Sequence, residues 1–159
     1  MVATTKRSND LLLKLQQDHP EVNFVKSAEH KWSPSASSVY YRPLKSKEDV
    51  WSLLHELSHA LLNHTSYAYD IELLGKEVEA WQYAKDSLAP RYSASIPEQA
   101  VDDALETYRQ WLFKRSVCPN CAQTGQQTKT DTYQCPNCRC LWRLNDARRC
   151  RLKRIKVTD

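Results

Sequence analysis

The sequence is poor in glycine, with two glycines among 159 residues, and it contains no Gly-rich loop. Enzymes that bind nucleotides use such a loop to surround phosphates with backbone N–H groups, so the sequence argues against that class. It also lacks an apolar run of the roughly 18 residues that cross a bilayer. The first ten residues are too polar for a secretory leader. We therefore expect a cytoplasmic protein with no membrane partner.

Cysteine is missing from the first 117 residues, and all six cysteines lie at or after position 118. This density is below that of a disulfide-stabilised scaffold. In a reducing compartment, thiols that cluster at short spacing are interpreted first as metal ligands. The length suits one core domain and a small appendage. Because the character of the sequence changes after Arg115, we place the domain limits at 1–116, 117–145 and 146–159.

Positive charge is concentrated towards the C-terminal end. The formal net charge is +4, but residues 139–159 contain eight basic and two acidic residues, a balance of +6 that leaves −2 for the preceding residues. A basic tail of this kind can attract nucleic acid or another acidic surface. Runs of charge also serve simply to keep a chain solvated. Both interpretations stay open at this point.

Apolar spacing predicts an α+β fold with a compact core of helices and a small antiparallel sheet. The clearest helix begins at an approximate capping box formed by Ser46 and Asp49 and continues with leucines at helical spacing. A later helix is expected to stop before Pro90. The predicted helices cover residues 10–19, 47–63, 71–88 and 97–114, and the predicted strands cover 22–25 and 37–41.

The helix after Ser46 carries the motif His55-Glu56-Leu57-Ser58-His59. Two histidines four residues apart project from one face of a helix, close enough for both imidazoles to bind one zinc ion. Glu56 cannot join the same row of ligands, but it can reach a water molecule on the metal and accept its proton. The motif therefore predicts a catalytic zinc bound by His55 and His59, with Glu56 as general base.

A catalytic zinc needs a third protein ligand. His64 lies one position short of the next histidine in the metzincin pattern, so we discount it. In the helix after residue 71, Glu77 shares a face with apolar residues, whereas Glu79 shares a polar face. An unpaired carboxylate on a buried face is costly, and zinc would supply the partner that Glu77 needs. We favour Glu77 as the ligand, and Glu79 remains the alternative.

These residues predict metal-assisted hydrolysis of a peptide bond in a protein or peptide substrate. Zinc would activate water and polarise the scissile carbonyl, while Glu56 would accept the proton and pass it to the leaving amine. The predicted strand at 37–41 could hold an extended substrate if it lies at the edge of its sheet, because an edge strand can pair with a peptide.

The run from Trp51 to Leu62, followed by Lys76-Glu77-Val78-Glu79-Ala80, resembles the ImmA/IrrE-type metallopeptidases. The similarity covers about residues 10–90. It implies a compact zincin-like core of helices with a small sheet, a zinc ion with a glutamate as third ligand, and cleavage of regulatory proteins. That glutamate corresponds to Glu77, because a small residue follows it by three positions. The sequence departs from the pattern at Trp81, where such families commonly have Asn or Asp.

Cys118-Pro119-Asn120-Cys121 and Cys135-Pro136-Asn137-Cys138 are two Cys-x-x-Cys pairs separated by thirteen residues, an arrangement that resembles a zinc ribbon. Four thiolates close a tetrahedral site and leave no position for water, so this second zinc would be structural. Metal binding would supply folding free energy that so small a module cannot obtain from burial. Cys140 is an alternative to Cys138 as the fourth ligand, and Cys150 is expected to be a free thiol.

The histidine motif together with a C-terminal ribbon also resembles the SprT-like proteases, which act on DNA-bound proteins. Those enzymes use a third histidine well downstream, and no histidine follows His64. A ribbon followed by basic sequence can bind nucleic acid through its phosphates, or it can dock a protein. Two further hypotheses stay open: a nucleic-acid-binding regulator with an inactive core, and an interaction protein in which both zinc ions only maintain the shape.

Overall fold

The structure is a computed structural model that describes residues 2–145 and 151–157, with side chains from residue 9 onwards. The fold is α+β, as predicted. No helix in this part of the chain is long and apolar enough to span a bilayer. The α-helices are α1 (Val2–Asp18), α2 (Lys47–Leu61), α3 (Asp70–Tyr83), α4 (Ala89–Arg91) and α5 (Glu98–Ser116), and the strands are β1 (Asn23–Lys26), β2 (Lys31–Ser33), β3 (Ser38–Tyr41), β4 (Gln126–Lys129), β5 (Thr132–Gln134), β6 (Leu141–Leu144) and β7 (Arg154–Lys156).

The described chain forms two compact units. The first comprises the residues up to Thr65 and Lys76–Val101, and the second comprises Ser66–Gly75 and the chain from Asp102 onwards. The sequence analysis instead draws a limit after residue 116. The two divisions differ because Asp70 and Arg115 form a buried ion pair within the second unit, together with residues of its sheet.

The first unit contains a three-stranded mixed sheet in the order β1-β3-β2. β3 is parallel to β1 and antiparallel to β2. The prediction of an antiparallel sheet is therefore wrong for the β1–β3 pair. The sequence analysis missed β2, which forms a hairpin with β3 through a 3₁₀ turn at Pro34–Ala36. Because β3 is the central strand, both of its edges are paired, and the expectation that residues 37–41 offer a free edge is also wrong.

α2 begins at the predicted capping box, which the structure confirms. The Ser46 hydroxyl accepts a hydrogen bond from the backbone N–H of Asp49 at 3.2 Å, and the Asp49 carboxylate accepts one from the N–H of Ser46 at 3.0 Å. Three leucines on the inner face are fully buried: Leu53, Leu54 and Leu57. The helix ends at Leu61, and Asn63 adopts a left-handed conformation with φ of 54°. The buried face also contains both histidines of the motif.

The helical path that begins with α3 continues through Pro90, so the prediction of a helix end before this proline is wrong. The α-helix ends at Tyr83, a π-helical turn follows at Ala84–Leu88, and α4 then includes Pro90. Proline has no N–H, and in a regular helix its ring clashes with the carbonyl four residues earlier. In the wider π turn the N–H of Ala89 donates to the carbonyl of Ala84. The altered spacing lets the helical path continue past the proline.

The other two long helices differ from the predictions only at their ends. α1 extends back to Val2, well before the predicted start near Asp10, and ends at Asp18 ahead of Pro20 as expected. α5 begins directly after Pro97 and continues two residues beyond the predicted end at Lys114. Helix ends carry weaker local signals than helix interiors, so deviations are concentrated there.

The second unit contains an antiparallel sheet in the order β4-β5-β6-β7. Its buried core combines two cysteines with aromatic and aliphatic residues: Cys118, Tyr133, Cys135, Trp142 and Leu144. β7 belongs to the predicted basic tail, so this part of the tail is an edge strand of the sheet. Residues 146–150, which include Cys150, lie outside the described residues.

A buried ion pair joins distant segments of the second unit. Arg115 donates to both carboxylate oxygens of Asp70 at 2.6 and 3.2 Å, and the Tyr133 hydroxyl donates to the same carboxylate at 2.7 Å. The indole of Trp142 donates to the carbonyl of Arg115 at 3.2 Å. Burial and the Asp70 carboxylate raise the pKa of Tyr133. Removing Arg115 or Asp70 alone would leave the other charge buried without compensation, which would strongly destabilise the unit.

Candidate metal centres

α2 and α3 bring three metal-ligating side chains together in the first unit. His55 and His59 lie one turn apart on α2, and their Nε2 atoms are 3.1 Å apart. Glu77 on α3 places Oε2 at 3.0 Å from Nε2 of His55 and at 3.5 Å from Nε2 of His59. All three side chains are buried. They are the residues that the sequence analysis favours as ligands of the first zinc.

The spacing of these three atoms fits a tetrahedral metal ion. Bonds of about 2.0–2.1 Å to nitrogen and oxygen place neighbouring ligand atoms about 3.4 Å apart in such a site. The observed separations of 3.0, 3.1 and 3.5 Å lie on either side of this value. Glu77 Oε2 makes no hydrogen bond of normal geometry despite its close neighbours. A buried carboxylate oxygen that converges with two ring nitrogens and has no hydrogen-bond partner is suited to bind a metal ion.

The charge state of Glu77 also suits a cation. Burial raises the pKa of its carboxyl, but the two adjacent imidazoles outweigh burial and lower the pKa to about 2. The carboxyl is therefore ionised across the neutral range, in the form that binds metal. The ring of Trp81 stacks on that of His55, with centroids 4.2 Å apart and planes 19° apart. Trp81, where the sequence departs from the ImmA/IrrE-type pattern, thus contacts the ring of His55 directly.

Glu79, the alternative ligand, projects away from this group. Its side chain is 68% exposed, and its Oε2 lies 3.1 Å from Nε2 of His64. The other ring nitrogen of His64, Nδ1, lies 2.8 Å from Nδ1 of His59. Burial lowers the pKa of His64, and the Glu79 carboxylate only partly offsets this. Neither residue belongs to the converging group. His64 contacts His59 of that group, and Glu79 contacts His64.

Glu56, the predicted general base, forms a hydrogen bond with a strand of the first sheet. Its Oε2 accepts a hydrogen bond from the backbone N–H of Trp32 in β2 at 2.6 Å. The indole of Trp32 donates to the carbonyl of His64 at 2.8 Å. Trp32 therefore links β2 to the motif helix and to the loop that follows it. The sequence analysis missed this residue, because its role depends on a strand pairing that has no local signal.

The four predicted ribbon cysteines converge in the second unit. Sγ of Cys118 lies 3.6 Å from Sγ of Cys138, and Sγ of Cys121 lies 3.5 Å from Sγ of Cys135. Bonds of about 2.3 Å to sulfur would place neighbouring sulfurs about 3.8 Å apart in a tetrahedral site. The observed separations are close to this value, so the group has the residue types and spacing of a four-cysteine metal site.

Each Cys-x-x-Cys pair lies in the same kind of turn. The N–H of Ala122 donates to the carbonyl of Cys118, and the N–H of Arg139 donates to the carbonyl of Cys135, both at 3.0 Å. Ala122 and Arg139 adopt left-handed conformations with φ of 60° and 59°, where glycine would carry no steric cost. Sγ of Cys140 lies outside the group of four, 3.9 Å from a backbone carbonyl.

Comparisons with known proteins give no match to this chain. No protein-family model, no curated protein and no solved structure matches it. The features of the described chain that bear on function are therefore the two groups of converging side chains, each with ligand atoms and spacing that suit a metal ion.

Proposed function

We propose that this chain is a zinc-dependent metallopeptidase with a zincin-like core of the ImmA/IrrE type and a second, structural zinc in its ribbon. One observation carries the proposal: two imidazole nitrogens and a carboxylate oxygen lie 3.0–3.5 Å from one another. Glu56, the candidate general base, directly follows the first of these histidines in the sequence. His55, His59 and Glu77 would hold the catalytic zinc and leave a fourth position for water. The structural zinc would be held by Cys118, Cys121, Cys135 and Cys138.

The proposed chemistry assigns separate roles to the chain's own residues. A bound zinc supplies Lewis acidity to the scissile carbonyl and to the attacking water. Glu56 accepts the proton of that water and delivers it to the leaving amine, so one carboxylate serves both steps. The hydrogen bond from the N–H of Trp32 restrains the orientation of this carboxylate. β2 is an edge strand of the first sheet, and its backbone groups other than the Trp32 N–H, which already donates to Glu56, can pair with an extended peptide substrate.

The third ligand favours the ImmA/IrrE-type proposal over the SprT-like alternative. The SprT-like pattern calls for a histidine well downstream of the motif, and the sequence has none after His64. Glu77 supplies the third converging atom instead. The substrate that we propose is accordingly a protein or peptide, without a requirement that it be bound to DNA.

The variant Glu56→Gln tests the proposed activity. It should keep two zinc ions per chain but cleave a proteome-derived peptide library about 10²–10⁴-fold more slowly, because it loses the general base. Mass spectrometry of the new peptide termini measures the cleavage. Glu48→Gln, which removes an exposed carboxylate from the first turn of α2, is the matched control and should cleave like the parent. Equal cleavage by Glu56→Gln and the parent would contradict the proposal.

We also propose that the ribbon binds nucleic acid, on the basis of its charge. Arg151, Lys153 and Lys156 are exposed in or beside β7, an edge strand of the second sheet. Exposed cations of this kind can contact the phosphates of a nucleic acid. Lys156 also donates a hydrogen bond to Asn120 within the unit at 3.1 Å, so Arg151 and Lys153 are the stronger candidates for phosphate contacts. This proposal is independent of the proteolytic one and would hold for an inactive core as well.

Salt dependence tests this second proposal. A short duplex DNA and a single-stranded RNA serve as probes, and their affinities for the full chain should fall linearly with the logarithm of salt concentration. Lys153→Gln should reduce that slope by about one phosphate contact, whereas Lys26→Gln on β1 should leave it unchanged. If the affinity for these probes changes neither with salt concentration nor in Lys153→Gln, the proposal is contradicted and a protein partner for the ribbon is favoured.

A further inference from the structure

Both ring nitrogens of His59 are engaged. Nε2 faces His55 and Glu77 in the candidate metal centre, and Nδ1 lies 2.8 Å from Nδ1 of His64. The second nitrogen of His64, Nε2, lies 3.1 Å from Oε2 of Glu79. A line of contacts therefore runs from the candidate metal centre through two imidazoles to a carboxylate at the surface.

The hydrogens along this line have one consistent arrangement when His59 binds a metal ion. A neutral imidazole carries a single proton, so coordination through Nε2 leaves the proton of His59 on Nδ1. This N–H then donates to Nδ1 of His64, which is the acceptor. The proton of neutral His64 consequently lies on Nε2, where it donates to the Glu79 carboxylate. Each of the nitrogens has one role, and none is left without a partner.

The local fold holds His64 in this position. The chain reverses at Asn63, and the N–H of His64 donates to the carbonyl of His59 at 2.9 Å. The carbonyl of His64 accepts from the indole of Trp32 at 2.8 Å. Its ring is buried, with its centroid 5.0 Å from that of His59 and its plane tilted by 64°. Because main chain and ring are both held, His64 can impose an orientation on its neighbour.

We propose that His64 and Glu79 are positioning residues that fix the tautomer and the ring orientation of His59 as a metal ligand. This inference rests on the proposed metal site, and it adds two residues that bind no metal themselves. Groups that hold the far nitrogen of a ligating histidine typically contribute about 10–100-fold in metal affinity. Glu79 thus acts through His64 rather than as the alternative ligand.

The zinc affinity of the His55–His59–Glu77 site tests the inference. It is measured with zinc alone, by competition with a chromophoric chelator, in the full chain with its cysteine site already loaded. His64→Phe keeps a ring but removes both nitrogens and should weaken binding about 10–100-fold. His64→Asn, whose side-chain carbonyl can accept the Nδ1–H hydrogen bond, should recover part of this loss.

The carboxylate has its own variant and control. Glu79→Gln changes an exposed side chain, so it should fold normally and weaken zinc binding less than His64→Phe. Asp86→Asn removes an exposed carboxylate from the π turn that follows α3, and its hydrogen bond is to Gln82 rather than to His64. It should leave the zinc affinity unchanged, which separates the specific contact from a general effect of charge.

Nitrogen NMR of the histidine rings gives a readout that a purely structural role would not move. In the zinc-loaded parent, the ring proton should lie on Nδ1 in His59 and on Nε2 in His64. The Nδ1–H proton of His59 should exchange with water faster in His64→Phe, which lacks the acceptor. Reversed tautomers, or parental zinc affinity in His64→Phe, would overturn the positioning role and leave the metal site in place. A parent that binds zinc only at its cysteines would overturn the proposed function as well.

Discussion

At the scale of single residues, burial separates two glutamates that look alike in the sequence. Glu77 and Glu79 lie two positions apart in α3, so their side chains leave the helix in very different directions. Glu77 is buried against two imidazoles, whereas Glu79 is exposed and reaches His64. Helical periodicity could predict which one faces inward. It could not predict the partner of Glu79, because His64 belongs to a loop whose path depends on the turn at Asn63.

The two glycines provide a residue-scale prediction with an internal control. A Cβ at Gly125 would collide with the ring of the fully buried Trp142 and would lie 3.0 Å from the carbonyl of Gln134. Trp142 is held by its hydrogen bond and by stacking on Tyr133, so Gly125→Ala should destabilise the second unit by about 1–3 kcal/mol.

A Cβ at Gly75, within α3, would meet no atom within 4 Å. Gly75→Ala should therefore stabilise the protein by about 0.5–1 kcal/mol, because alanine loses less backbone entropy in a helix. Urea unfolding of both variants and the parent measures the two effects. A Gly125→Ala protein as stable as the parent would show that the packing around Trp142 can accommodate a Cβ, and a destabilised Gly75→Ala protein would contradict the helix-entropy argument.

At the scale of secondary-structure elements, the start of α2 depends on one buried carboxylate. Asp49 accepts hydrogen bonds from the Arg42 side chain at 2.5 Å and from the backbone N–H groups of Lys45 and Ser46 at 3.0 Å each. Burial raises the pKa of Asp49, but these hydrogen bonds outweigh burial and lower the pKa to about 2. The element that carries both motif histidines is thus stabilised by an ionised cap.

The pH dependence of this cap is a prediction at the same scale. A carboxyl whose pKa is lower in the folded chain stabilises folding above its unfolded pKa of about 4, and this stabilisation is lost as the pH falls towards about 2. Asp49→Asn should cost about 1–3 kcal/mol at pH 6, and its difference from the parent should shrink over that range. Urea unfolding followed by tryptophan fluorescence measures it. Asp10→Asn on α1 is the control, and an Asp49→Asn deficit that does not change between pH 6 and pH 3 would contradict the prediction.

At the scale of the whole molecule, each compact unit has one group of converging ligand atoms among the residues that the structure describes. The His55–His59–Glu77 group lies beside an apolar core built from leucines of α2, so that core remains if the metal is removed. The cysteine group is itself part of the core of the second unit, which includes Cys118 and Cys135. The two units should therefore respond differently to a chelator.

Metal content and chelation test this difference. The parent should contain two zinc ions per chain by elemental analysis, and a strong chelator should remove amide-exchange protection from β4–β7 before it affects α2. Cys135→Ser should retain one zinc ion and lose that protection, because a module of this size relies on metal for stability. Cys140→Ser should retain both. A parent with one zinc or none would contradict the two-site interpretation, and a Cys140→Ser protein with one would make Cys140 a ligand.

The sequence by itself determined the features that depend on neighbours within about one helical turn. The spacing of His55 and His59, the inward-facing position of Glu77, the capping box and the two cysteine pairs are all local, because helix periodicity and turn geometry act over a few residues.

Only the tertiary structure decided the remainder. The central position of β3, the contact between Trp32 and Glu56, the π turn before Pro90 and the line from His59 to Glu79 combine residues that are distant in sequence or depend on an irregular turn. Such contacts are selected by packing and by the pairing of backbone hydrogen bonds across the whole unit. A local sequence pattern therefore cannot predict them.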